Sequence, residues 1–312
     1  MINRQPITRR TALRVMGAGV AGMALAPHWA RAEVRDAILK SIPPTGEEIP
    51  VIGLGTWRTF NVGDDERAYP PLVEVVEAFF DAGGGMIDCS PMYGSAHNVL
   101  QYSFEQLGRP DTKFSADKIW TRDGGGTRAQ FREIADWWGV ETIDLMQVHN
   151  LVAWEPHLET LREMKANGEV RYIGITTSHG RRHSDFARIM ETEDDIDFVQ
   201  LTYNVTHPEV EQRLLPLAEE KGIAVIANRP YDGGHLVRRL KQDAPLPEWA
   251  DEVDCHDWPQ FLLKWIVSHP AVTCAIPATS RVEHLRENMD AGRGRLPDAE
   301  QRRRMAEYVR AL

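Results

Sequence analysis

The sequence predicts a single α/β domain folded as a (β/α)8 TIM barrel, with one extra helix at its C-terminal end. Three observations predict it. Eight short apolar runs recur from residue 50 onward, amphipathic helical patterns separate them, and no linker rich in proline, glycine and serine divides the chain. A doubly wound open sheet is the runner-up, but it explains eight evenly spaced units less well. The barrel domain is read as residues 33–312, behind a leader at 1–32.

The runs are VIGLGTW (51–57), GMIDCS (85–90), KFSADKIW (113–120), IDLMQVH (143–149), VRYIGITT (170–177), DFVQLTYN (197–204), IAVIANRP (223–230) and VTCAIPAT (272–279). Each is the length of a buried strand. Between them, PPLVEVVEAFFDAG opens on prolines and closes on glycine, as a helix does. HLETLREMKANG and VEQRLLPLAEEKG also end at glycine, with Lys165 and Lys221 in their last turns. Apolar residues recur at three- and four-residue spacing, which a helix lying on a sheet requires. RVEHLRENMDAG follows the eighth run, and DAEQRRRMAEYVRAL reads as the extra helix. The stretch 231–257 is expected to be a long loop, placed where barrel loops shape a substrate site.

The chain has 312 residues and a formal net charge of −10. All five arginines of residues 1–32 lie in a segment without acids, so the remainder is more acidic still. An acidic body repels phosphates and argues against a nucleic-acid partner. The three cysteines, Cys89, Cys255 and Cys274, are too few and too widely spaced for a disulfide framework or a zinc ribbon.

Gly17-Ala18-Gly19-Val20-Ala21-Gly22 has the spacing of a dinucleotide-binding turn, but Pro27 falls inside the helix such a turn needs. An export leader fits better. A basic region ends at Arg14, a mild apolar run covers Val15 to Ala26, and Ala30-Arg31-Ala32 offers small residues for cleavage. Thr8-Arg9-Arg10-Thr11-Ala12-Leu13-Arg14 resembles the twin-arginine export motif. The resemblance implies the Tat export machinery as a partner, a periplasmic or otherwise exported destination, and no membrane anchor after cleavage.

In a barrel of this kind, active sites lie at the C-terminal ends of the strands. The second run ends at Asp88, with Tyr93 in the loop behind it. The third carries Lys118 and the fourth ends at His149. A lone aspartate there is commonly a helix cap, and a lone tyrosine commonly packing. Four such residues on three consecutive strands form a proton-transfer set. An ammonium beside a phenol favours tyrosinate and draws its pKa down, and an aspartate holds the ammonium. Lys113 and Arg122 are the neighbouring alternatives to Lys118, Arg122 being second choice.

These residues, together with GLGTW, IDCSPMYG, ADKIW, IDLMQVH, VRYIGIT, Gln200 and IPATSRVEHLREN, resemble an aldo-keto reductase from about residue 44 to 292. The resemblance implies NADP(H), favoured over NAD(H), and reduction of a small-molecule carbonyl. It implies Tyr93 as general acid/base, Lys118 and Asp88 tuning it, and His149 orienting the carbonyl. It places Thr56, Trp57, Thr176, Thr177, Gln200, Asn228, Thr279, Ser280, Arg281, Glu287 and Asn288 at the cofactor. Asn228 stands where many members stack a tyrosine on nicotinamide, and Ala278 where many have a lysine. No metal site is expected; His179 and His183 are read as solvated loop residues. A reading from another class is an exported cofactor-binding or regulatory barrel with little turnover.

Overall fold

Ile42 and Ile49 anchor the hairpin that opens the fold: β1 (Leu39–Ser41) pairs antiparallel with β2 (Glu48–Pro50). The computed structural model describes residues 37–108 and 113–312. The expected leader at 1–32 lies outside them. The hairpin was not visible in the sequence. Its two isoleucines are buried with Met86, Phe114, Tyr172 and Phe198 in the inner core, closing the N-terminal end of the sheet.

The sheet contains the eight expected strands: β3 (Leu54–Gly55), β4 (Met86–Asp88), β5 (Phe114–Ile119), β6 (Ile143–Val148), β7 (Val170–Thr176), β8 (Phe198–Thr202), β9 (Ala224–Asn228) and β10 (Cys274–Ala275). All neighbours pair in parallel, in sequence order. Parallel bridges Ile52↔Ala275 and Gly55↔Ala278 bring β3 back against β10 and close the barrel. Glycine is required along that seam. A Cβ on Gly53 would lie 2.8 Å from the Met86 carbonyl oxygen, and one on Gly55 would lie 2.7 Å from that of Ile276.

Helices cover the outside. They are α1 (Pro70–Asp81), α2 (Ala96–Gln106), α3 (Thr127–Trp138), α4 (Trp154–Ala166), α5 (His183–Thr192), α6 (Leu214–Lys221), α7 (His235–Asp243), α8 (Trp258–Val267), α9 (Val282–Asp290) and α10 (Ala299–Ala311). The amphipathic spacing does what it must: Leu72, Val75, Val76 and Phe79 of α1 are buried against the sheet. Gly139 and Gly222 end α3 and α6 in the left-handed conformation. The extra helix α10 begins with a capping box between Asp298 and Gln301 and buries Met305 and Val309.

The stretch 231–257 departs from the expected loop. It contains α7 and a 3-10 helix at Glu248–Val253. Leu236 and Leu240 hold α7 down while its charged residues stay outside. Among the described residues, no helix is long and apolar enough to cross a membrane.

Candidate active site

Asp88 closes β4 and Lys118 stands near the end of the adjacent β5. Both side chains are buried, and the ammonium donates to Asp88 Oδ1 at 2.6 Å and to the Cys89 carbonyl at 2.7 Å. Strand register sets this pair: Asp88 lies opposite Ala116, so Lys118 reaches one step above it on the same inner face. Gln200 Nε2 on β8 donates to Asp88 Oδ1 at 2.7 Å, and Thr56 Oγ1 donates to the Asp88 carbonyl at 2.8 Å. Burial pushes the Asp88 carboxyl up, against the opposing pull of Lys118 and Gln200. Lys113 stands before β5, at the far end of the strand, and Arg122 is exposed, so Lys118 is the cation of this site.

Tyr93 follows β4 in a short 3-10 turn, Pro91–Tyr93, whose N-cap Ser90 accepts from Met92 N. The Lys118 ammonium is 5.2 Å from the centre of the Tyr93 ring. The sequence predicts that lysine lowers the phenol's pKa. The structure has the opposite balance. Burial, with Asp88 and Cys89 nearby, pushes Tyr93 well above the ordinary tyrosine value. Lys118 is engaged by Asp88 and a carbonyl, and the phenol keeps its proton at neutral pH.

His149 follows β6, and its ring meets that of Tyr93 edge-on, with centroids 5.9 Å apart. Its Nδ1 lies 2.8 Å from Ser90 Oγ. Burial and Lys118 push its pKa down to about 3, so the imidazole is neutral. Trp120 stands 6.5 Å from it, centroid to centroid.

Across the barrel mouth, Thr176 Oγ1 donates to Gln200 Oε1 at 3.1 Å. Asn228 offers no stacking face. Its Oδ1 accepts from Thr202 Oγ1 at 2.7 Å and its Nδ2 donates to the Thr177 carbonyl at 2.9 Å. Asn228 is therefore a tether between the ends of β7, β8 and β9. Thr177 also ties down its own loop, donating from Oγ1 to the Arg181 carbonyl at 2.8 Å.

These residues ring a cavity of about 410 Å³, whose lining includes Trp57, Asp88, Tyr93, His149, Gln200 and Asn228. The family profile of the aldo/keto reductases matches residues 51–307. The chain belongs to the aldo/keto reductase family. It is an NAD(P)H-dependent oxidoreductase. It is 27% identical over 241 residues to aldo-keto reductase YhdN of Bacillus subtilis, covering 71% of this chain and 69% of that one. It is 23% identical over 327 residues to an NADH-specific methylglyoxal reductase of Escherichia coli, covering 84% and 96%. In structure it is similar to an aldo/keto reductase from Klebsiella pneumoniae solved with NADP and acetate. There the TM-score is 0.72 at 21% identity, over 85% of this chain and 93% of that one.

The reductase has site residues the sequence did not single out. Ser90 fixes the His149 ring. Arg58 and Arg229 stack on Trp57, their guanidinium carbons 5.2 and 5.3 Å from its ring centre. Arg229 takes φ +52°, a strained conformation for a residue with a side chain, and pairs with Asp232 at 2.8 Å. His179 is an exposed loop residue, as expected, and it also lines the cavity and meets Trp57 edge-on at 6.2 Å. Only the pairing of Arg229 with Asp232, three residues on, had a local sequence signal.

Thr279, Ser280 and Arg281 line the same cavity, and Arg281 Nε is 3.5 Å from Glu283. Glu287 and Asn288 lie in a second cavity of about 270 Å³, where Asn288 Oδ1 accepts from Tyr231 Oη at 2.6 Å. Behind the site, His97 Nε2 and Trp138 Nε1 each lie 2.7 Å from Asp117 Oδ2, with Cys89 beside them. The buried charges of that cluster satisfy one another.

Proposed function

We propose that the reductase converts the carbonyl of a small aldehyde or ketone to an alcohol, with Tyr93 supplying the proton. The observation that carries this reading is the convergence of Tyr93, His149 and Asp88 on one cavity at the C-terminal ends of the strands, with Lys118 paired to Asp88 behind them. A bound nicotinamide dinucleotide supplies the hydride. The donor set fits such a group: Thr176 and Gln200 offer amide-binding atoms, while Arg58 and Arg229 supply the positive charge a diphosphate needs.

The chain's own residues divide the remaining work. Ser90 Oγ already accepts from Met92 N, so its hydroxyl proton is free for His149 Nδ1. That leaves the imidazole proton on Nε2, where a neutral ring donates to the substrate carbonyl oxygen. Tyr93, kept protonated by burial, gives its proton to the same oxygen as negative charge develops there. Lys118 stabilises the tyrosinate left behind, and Asp88 holds Lys118. Trp57 walls the cavity with apolar surface, and Trp120 stands beside His149 at its edge; both favour a small substrate.

The purified reductase, mixed with NADPH and a small aldehyde, is expected to consume 340 nm absorbance in step with aldehyde loss. Binding of the cofactor without turnover would favour a regulatory or binding barrel instead. The basic, small-residue leader expected at 1–32 supports export. Sequencing the N-terminus of the protein recovered from periplasm tests it; a chain there that still begins at Met1 would contradict cleavage.

A further inference from the structure

Gln147 of β6 is fully buried, and neither its Nε2 nor its Oε1 has a hydrogen-bond partner among the described residues. Such groups are rare in a folded protein, because a buried amide that pairs with nothing has given up water without return. Strand register fixes its place in the barrel. Leu145, two residues earlier, belongs to the inner core, so Gln147 points inward as well. On one side it lies opposite Lys118 of β5, which stands two residues beyond the inner-core Ala116. The two side chains therefore rise from adjacent strands, about 4.8 Å apart, on the same face. On the other side Gln147 lies opposite Gly174 of β7. A Cβ on Gly174 would be 2.6 Å from the Phe198 carbonyl oxygen and 3.2 Å from Gln147 Cγ. Glycine is required there, and it adds no apolar side chain to the inner layer beside the amide. Lys118 is also short of one partner. The described hydrogen bonds use two of its three N–H groups, on Asp88 Oδ1 and the Cys89 carbonyl.

We propose that Gln147 holds a buried water against Lys118, and that this water positions the ammonium by taking its third N–H. The positioning role rests on the reading of Tyr93 as the proton donor. A water there accepts from Lys118 Nζ and from Gln147 Nε2 and donates to Gln147 Oε1. Those three bonds are the number a buried water typically makes, and they satisfy both ends of the amide at once. Gln147 touches neither substrate nor phenol and acts on Tyr93 only through Lys118. With the third N–H engaged by the water, the ammonium stands 5.2 Å from the Tyr93 ring centre and does not spend that proton on the phenol oxygen. Without the water, the N–H turns to that oxygen and stabilises tyrosinate. The other titratable groups around Tyr93 and Lys118 are Asp88 on β4, Cys89 after it, Asp117 on β5 and His149 after β6. A substitution at Gln147 changes none of them.

A crystal structure of the full reductase, at a resolution that shows ordered water, tests the site. One water within hydrogen-bond reach of both Gln147 and Lys118 Nζ is expected, and its absence would overturn the proposal. This arm needs no variant to fold. The positioning role is read in the alkaline limb of single-turnover aldehyde reduction by NADPH. Gln147→Met keeps the length of the side chain and removes both polar atoms, and thermal melting confirms that it is folded. Its limb should lie on the order of one pH unit below that of the parent, because tyrosinate forms more readily once the ammonium turns to it. A merely structural role would change the rate and leave the limb in place. A folded variant whose limb stays put or moves up would overturn the positioning role. Failure of the underlying reading has a different signature: Tyr93→Phe would reduce the aldehyde at the parental rate while the water remained on Gln147.

Discussion

Lys118 and Asp88 form an ion pair 2.6 Å long with both side chains buried, and the same ammonium lies 5.2 Å from the ring centre of Tyr93. A buried pair of this kind is costly to break, because removing one partner strands the other charge out of water. Asp88→Asn or Lys118→Met alone should lower unfolding free energy by about 3–5 kcal/mol. The double variant should cost less than the sum of the two. Denaturant unfolding of the three variants measures this, and simple additivity would mean the pair is not coupled.

Ser90 has the more subtle task of fixing a ring. Ser90→Ala removes the partner of His149 Nδ1 and lets the imidazole take either tautomer. Turnover should fall on the order of tenfold, the worth of about 1.4 kcal/mol, while cofactor Kd stays unchanged. Ser90→Thr keeps a hydroxyl and should recover part of the loss. A change in cofactor affinity alone would place Ser90 in binding instead.

The cluster behind the site makes stability depend on pH. Burial lowers the His97 pKa, but Asp117 and Cys89 more than reverse this and carry it up to about 10. A histidine whose folded pKa is raised contributes fully below its unfolded value near 6.5, and loses that contribution as pH rises towards 10. Asp117 is held below 3.8, so its share is present above that value and fades as pH falls through it. Thermal melting should therefore be lower at pH 9.5 than at pH 6, and His97→Gln should flatten that slope. An unchanged slope in the variant would exclude His97 as its source.

The eight strands were legible because each is a short apolar run followed by a polar residue or a turn, and parallel buried strands read that way. Asp88 and His149 were legible for the same reason, since they mark where the runs stop, and Lys118 because it is a cation inside an otherwise buried run. The hairpin was not, since two three-residue strands around Pro43-Pro44 leave too little pattern to detect. Helix α7 was hidden because only Leu236 and Leu240 of its nine residues are buried. Asn228 stands at the end of its run as expected, but no sequence pattern shows that Thr202 and Thr177 use up its amide. The direction of the Tyr93 shift was missed because it depends on burial and on where Lys118 spends its protons. Neither is a property of spacing. The pairing of Arg58 and Arg229 across Trp57 joins residues from two distant loops, and only folding brings them together.

In the proposed reaction the Tyr93 hydroxyl delivers the proton. Tyr93→Phe removes that oxygen and keeps the ring that packs on His149. Mixed with NADPH and a small aldehyde in a single turnover, the variant should bind NADPH with the parental Kd. It should oxidise NADPH about 10²–10⁴-fold more slowly, the range a positioned acid supplies. Parental affinity with an undiminished rate would contradict the account.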